Sequence, residues 1–240
     1  MNIKKHIPNA ITCGNLLCGC LGVVQAFEGN LIWASYLVGI AAVLDFFDGF
    51  AARMLKVSSP IGKDLDSLAD MVTFGFLPGV VMFVLISAAV DFTEAKQYVG
   101  SEYLRYIAFL IPVFSALRLA KFNHDTRQTD SFIGVPTPAN AMLICSLPLM
   151  LEFNNFEFIL NPILLAALCI LMSLLLVAEL PLFALKFKHF KWNGNEIRFV
   201  FLALSLILLV AFQFLGIALV IILYVLMSLL NNLLSKKKIA

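Results

Sequence analysis

Four aspartates lie at fixed spacing inside hydrophobic sequence: Asp45-x2-Asp48-Gly49-x2-Ala52-Arg53-x8-Gly62-x3-Asp66-x3-Asp70. A carboxylate in a membrane helix is costly and by default marks a functional site. Two pairs of them invite a cation, because hard divalent metals take carboxylate oxygens and bridge phosphates. Each set also shares a helical face. Asp45, Asp48, Gly49, Ala52 and Arg53 fall at i, i+3, i+4, i+7 and i+8, and Gly62, Asp66 and Asp70 at i, i+4 and i+8. Gly49 and Ala52 leave room beside the acids for a ligand, or for the close helix packing that small residues also serve. Lys56, Ser58, Ser59, Pro60, Gly62 and Lys63 form a short polar connection between the acid pairs, and its cations suit phosphate.

Acids at these positions need helices in a bilayer to hold them. The chain of 240 residues is 61% hydrophobic and 13% charged, with a mean hydropathy of +0.95. A soluble domain of that length cannot hide so much apolar surface, whereas a bilayer accepts it. The expected fold is an all-α integral membrane bundle forming one domain over residues 1–240, with a core over about 4–180 and an additional helical pair over about 197–234. Eight spans are expected, near 9–27, 31–55, 64–90, 103–122, 138–152, 157–180, 197–213 and 215–234. The fifth is short and carries Pro148, which marks a kink or a merged boundary. Little beyond Gln213 to Gly216 joins the last two, which requires a tight turn. The stretch Met1 to Val24 imitates a signal peptide, and Leu17-Cys18-Gly19-Cys20 a lipoprotein cleavage site. Pro8, Asn9, Thr12 and Asn15 interrupt it, so it reads as a retained first helix. Cys13, Cys18, Cys20, Cys145 and Cys169 lie in apolar stretches without CxxC or zinc-ligand spacing and read as core packing.

Charge sets the orientation. Lys4 and Lys5, the Arg53–Lys63 connection, Arg118 to Arg127, Lys186 to Arg198 and the Lys236–Lys238 tail put fifteen of the seventeen Lys and Arg on one side, leaving Lys96 and Arg105. The positive-inside rule places that side, and both termini, in the cytoplasm. Asp45 lies eight residues before Arg53, roughly 12 Å below the cytoplasmic end of its span. Asp66 and Asp70 start the next span on the same side. All four acids are therefore expected to meet in a cavity open to the cytoplasmic leaflet.

The acid spacing resembles the signature of the CDP-alcohol phosphotransferase family, with all eight fixed positions matched across twenty-six residues. Flanking stretches resemble the integral-membrane, phosphatidylserine-forming branch of that family. These are Pro8-Asn9-Ala10-Ile11-Thr12 with Asn15, Leu65 to Gly75, Arg118-Leu119-Ala120-Lys121-Phe122-Asn123, and Phe132-x-Gly134-x-Pro136-Thr137-Pro138. The resemblance covers about residues 4–140, and the branch often has arginine where this chain has Lys121, a point charge in place of a bidentate fork.

The resemblance implies a homodimeric membrane enzyme that transfers a phosphatidyl group from CDP-diacylglycerol to L-serine and releases CMP. It implies two divalent cations, Mg2+ or Mn2+, held by Asp45, Asp48, Asp66 and Asp70. Asp70, the last acid, would take the proton of the serine hydroxyl. Donor binding would fall to Asn9, Thr12, Asp48, Gly49, Ala52, Arg53 and Gly62. The acceptor's carboxylate needs a cation, and Arg118 and then Lys121 are the candidates. No covalent nucleophile stands out: His6, His124 and His189 lie near span ends, where interfacial solvation explains them. Direct attack by serine is therefore expected.

Other readings compete. The central motif alone does not separate serine from glycerol 3-phosphate or inositol phosphate. A cation transporter could use the same acids, but the chain lacks an inverted repeat and that reading leaves Gly49, Ala52, Arg53 and Gly62 without a purpose. A structural scaffold has no use for buried acids.

Overall fold

The computed structural model describes residues 6–57, 59–92, 100–125, 131–154, 156–183, 185, 192 and 194–237. Lys4, Lys5, Ser58, Lys96, Arg127, Lys186, Lys188, His189, Lys191 and Lys238 lie outside them, as do the side chains of Phe132, Lys236 and Lys237. Helix α1 (His6–Phe27) turns at Gly29 into α2 (Leu31–Leu55). Lys56 then takes a left-handed conformation and its N–H returns to the carbonyls of Ala52 and Arg53, closing α2. Three residues later Ser59 opens α3 (Pro60–Asp70): its Oγ accepts from Gly62 N at 3.0 Å, and Pro60 occupies the first turn, where a missing N–H costs nothing. This short reversal sets the acids at the end of α2 opposite those of α3.

From Asp70 the rod continues through a π-helical segment, Met71–Phe76, into α4 (Leu77–Phe92). It carries much of the core, including the fully buried Phe74, Leu77, Val80, Val81, Met82 and Ile86. A 3-10 segment, Ser101–Phe109, leads into α5 (Leu110–His124). After strand β1 (Ser131–Ile133) come α6 (Thr137–Asn154), α7 (Pro162–Val177), β2 (Pro181–Phe183) and α8 (Glu196–Lys237).

Five helical stretches among the described residues are long and apolar enough to cross a membrane: His6–Phe27, Leu31–Leu55, Pro60–Phe92, Ser101–His124 and Glu196–Asn232. Trp33, Phe46, Phe47, Met54, Ile61 and Leu68 are among the large apolar side chains left on the outside. Such a surface belongs against lipid. The protein is a helical integral membrane protein.

The helices depart from expectation in four places. The third span begins at Pro60 rather than at 64, because the Ser59 cap and Pro60 start it; Gly62 and Lys63 therefore lie on the helix and not in a connection. The sixth is shorter than 157–180: Asn161 caps Ile163 N and Leu164 N, Pro162 opens the helix, and Ala178 is already extended. A helix of 16 residues is short for a span. α6 continues through Pro148. Finally, the helices are accompanied by one short strand pair among the described residues, β1 and β2, which run antiparallel with Ser131 opposite Phe183 and leave the fold class all-α. Within α8, Gln213 has φ 50 and ψ −117, and a Cβ on Gly216 would come within 2.5 Å of Leu208 O. Residues eight apart approach that closely only if the chain doubles back, so α8 is a hairpin folded at Gln213.

Candidate active site at a carboxylate cluster

Asp45 and Asp48 stand one turn apart on α2, and Asp66 and Asp70 one turn apart on α3. The reversal at Lys56–Ser59 brings them together: one carboxylate oxygen from each of Asp45, Asp48 and Asp66 lies within 4.8 Å of the others. Asp48 is buried and accepts a 2.6 Å hydrogen bond from Thr12 Oγ1 of α1. Thr12 Oγ1 also lies 3.1 Å from Pro8 O. A hydroxyl has one proton, and the shorter, charge-assisted contact claims it. Asp70 is outside the trio. Its carboxyl lies against that of Asp45 and within electrostatic reach of Arg118. Its Oδ1 is buried with no hydrogen-bond partner among the described residues.

These residues fit a hard divalent cation. The donor set is all oxygen, the preference of Mg2+ and Mn2+. Carboxylates this close repel one another unless a cation or a proton lies between them. The orphaned Asp70 Oδ1 is a buried acceptor awaiting a partner.

Beside the acids is a cavity of about 250 Å³. Asn9, Thr12, Asp48, Gly49, Ala52 and Gly62, six of the seven residues expected to bind the donor, line it. Ser59, Lys63 and Asp66 complete its polar wall. Space at Gly62 is tight, since a Cβ there would stand 3.0 Å from both Asn9 Oδ1 and Ser59 Oγ. Arg53, the seventh, is exposed and not in the wall; its guanidinium lies over Gly49, within electrostatic reach of Asp48.

The acceptor candidates lie in a second cavity, of about 310 Å³, with Arg118 and Lys121 in its wall. Arg118 is buried. Its Nη1 donates to Thr137 Oγ1 at 3.0 Å, and its guanidinium sits 5.1 Å from the centre of the Phe122 ring. Its Nε has no partner among the described residues. Lys121 is exposed. Two hydrogen bonds tie α3 to α5: Lys63 Nζ donates to Asn123 O at 3.2 Å, and Asn123 Nδ2 to Ser67 Oγ at 2.8 Å.

Three residues of this region escaped the sequence reading. Asp125 and Glu179 line the second cavity. Tyr224 of α8 lies within electrostatic reach of Arg118 and donates to Phe183 O at 2.8 Å. Glu179 carried a readable signal, an acid on the side where cations gather, whereas Tyr224 is one aromatic in an apolar run. Of the histidines, His6 is exposed at the start of α1 and His124 lines the second cavity.

Residues 5–174 match the family model described as CDP-alcohol phosphatidyltransferase. Among curated proteins, the chain is 34% identical over 192 residues to the CDP-diacylglycerol–serine O-phosphatidyltransferase of Bacillus subtilis, covering 80% of this chain and 95% of that protein. It is 31% identical over 213 residues to the protein of the same name from Helicobacter pylori, covering 83% and 80%. It is 32% identical over 154 residues to the archaetidylserine synthase of Methanothermobacter thermautotrophicus, covering 61% of each.

Proposed function

This chain belongs to the CDP-alcohol phosphatidyltransferase family, and from that membership we propose that it transfers a phosphatidyl group from CDP-diacylglycerol to the hydroxyl of L-serine, giving phosphatidylserine and CMP. One observation carries the reading. Asp48 and Asp66 line the cavity matched to donor binding, while Asp70 of the same cluster is within electrostatic reach of Arg118 in the wall of the second cavity. The names of the relatives and the motifs around Phe74 and Arg118 support serine as the acceptor.

The nucleotide end of the donor enters between α1, α2 and α3, against Asn9, Thr12, Gly49, Ala52 and Gly62, with Lys63 and Arg53 near its phosphates. Asp45, Asp48, Asp66 and Asp70 would hold two divalent cations, Mg2+ or Mn2+, whose charge when bound offsets that of the pyrophosphate and of the departing CMP. Thr12 fixes the Asp48 carboxylate by donating to it. Arg118, itself held by Thr137, takes the serine carboxylate and turns the hydroxyl toward Asp70. Asp70 Oδ1 accepts the hydroxyl proton as the serine oxygen attacks the β-phosphorus. A bond forms from that oxygen to phosphorus. The bond from phosphorus to the bridging oxygen breaks, and CMP leaves with the electron pair. Transfer is direct, with no phosphatidyl-enzyme. The apolar stretches support eight spans, the charge pattern supports cytoplasmic termini and a site facing the cytoplasm, and the family resemblance supports a homodimer.

The test is an acceptor screen. Purified protein receives CDP-diacylglycerol, a divalent cation and one alcohol at a time, and CMP release is followed. Release is expected with L-serine and little with glycerol 3-phosphate or inositol phosphate. Strong activity with another alcohol and none with serine would overturn the acceptor while leaving the family membership intact.

A further inference from the structure

The second cavity is lined by charges of both signs, a feature that reaches beyond the Arg118 and Lys121 assignment. Arg118 and Lys121 line it, and so do Asp125 and Glu179. Two helix C-termini border the cavity and add to its acidic groups. α5 ends at His124 with Asp125 as its C-cap, and α7 ends at Val177, whose last residues Leu176 and Val177 are in the cavity wall. The final carbonyls of a helix lack helical partners and carry partial negative charge. Gly134, at φ 75, holds this arrangement: a Cβ there would strike Leu176 O, and the neighbouring Val135 N takes up Leu175 O at 2.9 Å. An aspartate at a helix C-terminus is on the wrong end of the dipole. It gains from any cation brought to it.

We propose that this cavity recognises its acceptor as a zwitterion: Arg118 and Lys121 take the carboxylate, and the pole made by Asp125, Glu179 and the C-terminal ends of α5 and α7 takes the ammonium. The assignment rests on the serine reading above and deepens it. Each carboxylate offers about four lone-pair sites, so contacts already made to neighbouring groups leave room for an ammonium. About 310 Å³ accommodates a small amino acid with water around it. The same acids work against the wrong acceptor. A phosphate-bearing alcohol has no cation to offer and brings extra negative charge to face Asp125 and Glu179. Selectivity thus comes from repulsion as well as attraction.

The experiment compares L-serine with 3-hydroxypropanoate, which keeps the hydroxyl and carboxylate and lacks the ammonium. CMP release from CDP-diacylglycerol and Mn2+ is measured for the full chain, for Glu179→Gln, for Asp125→Asn and for the double variant. The unaltered chain should prefer serine by at least about tenfold in kcat/KM, as expected for a charged hydrogen bond. In the double variant the KM for serine should rise about as much, with kcat and the KM for CDP-diacylglycerol little changed. The kcat/KM for 3-hydroxypropanoate should hold or rise, so the preference collapses. Glu179→Asp should restore part of it. An unchanged serine KM, or equal losses with both acceptors, would overturn the ammonium pole while serine transfer stands. No turnover of serine by the unaltered chain would overturn both. Glu179 is exposed, so if the double variant fails to fold, the single Glu179→Gln must still raise the serine KM severalfold, and no change in it refutes the proposal.

Discussion

Asp48 and Asp70 hold different positions within one cluster. Asp48 is fixed by the 2.6 Å bond from Thr12, so its orientation depends on a hydroxyl from another helix. Thr12→Val keeps the shape and removes that donor. Partners of metal ligands typically change metal affinity or activity by about 10- to 100-fold. The Mn2+ concentration for half-maximal activity should therefore rise by about tenfold, with much of the rate recovered at saturating Mn2+; a metal titration of the variant checks this. Asp70 is the acid left with a buried oxygen that has no partner among the described residues, within electrostatic reach of Arg118. Asp70→Asn should lower kcat by roughly 10²- to 10⁴-fold, the range for general acid–base groups. Excess Mn2+ should not restore it. Rescue by metal would make Asp70 a ligand only, and a rate near that of the unaltered protein would remove it from the chemistry.

At the scale of elements, the site depends on how α2 stops and α3 starts. The left-handed Lys56 and the Ser59 cap compress the reversal so that two acid pairs on successive helices oppose each other. Losing a serine cap costs about 1 kcal/mol, which for a chain of this size is about 2–4 °C in Tm. Ser59→Ala should show that loss in thermal unfolding without substrate, and Ser59→Asp should not. Much of this region was legible, because the i+3 and i+4 intervals fix which residues share a face whatever the helix boundaries. The cap could be read too: Ser-Pro before Gly62 is a helix start, and its position explains why the span begins earlier than its hydropathy suggests. The π-helical Met71–Phe76 was not legible. Its i→i+5 pairing leaves no mark in the apolar pattern, yet it sends Thr73 Oγ1 to Asn15 O at 3.1 Å and sets Gly75 against Ser115. It begins at the residue after Asp70, which places the irregularity beside the carboxylate cluster.

Across the whole molecule, α8 is more than an appended pair. The family model stops at residue 174, but Tyr224 reaches both Phe183 O and the neighbourhood of Arg118. Asn232 adds a side-chain bond to Pro181 O at 2.5 Å. No local pattern encodes these contacts; they exist because α8 folds back at Gln213 and β2 returns beside β1. The same limit hid the acidic pole of the second cavity, which needs two helix ends far apart in sequence. Orientation, in contrast, is an expectation drawn from the distribution of lysine and arginine. In a cysteine-free background, Lys56→Cys should react with a membrane-impermeant thiol reagent only from the cytoplasmic face, and Gly29→Cys only from the opposite face; the reverse pattern would invert the topology. The most direct check of the central claim uses L-serine labelled with 18O in its hydroxyl, supplied with CDP-diacylglycerol and Mn2+ to the purified protein, with the products read by mass spectrometry. Phosphatidylserine should retain the label, CMP should carry none, and the two should form in equal amounts. Unlabelled lipid, or CMP released as fast without serine as with it, would contradict direct attack by the serine hydroxyl at this carboxylate cluster.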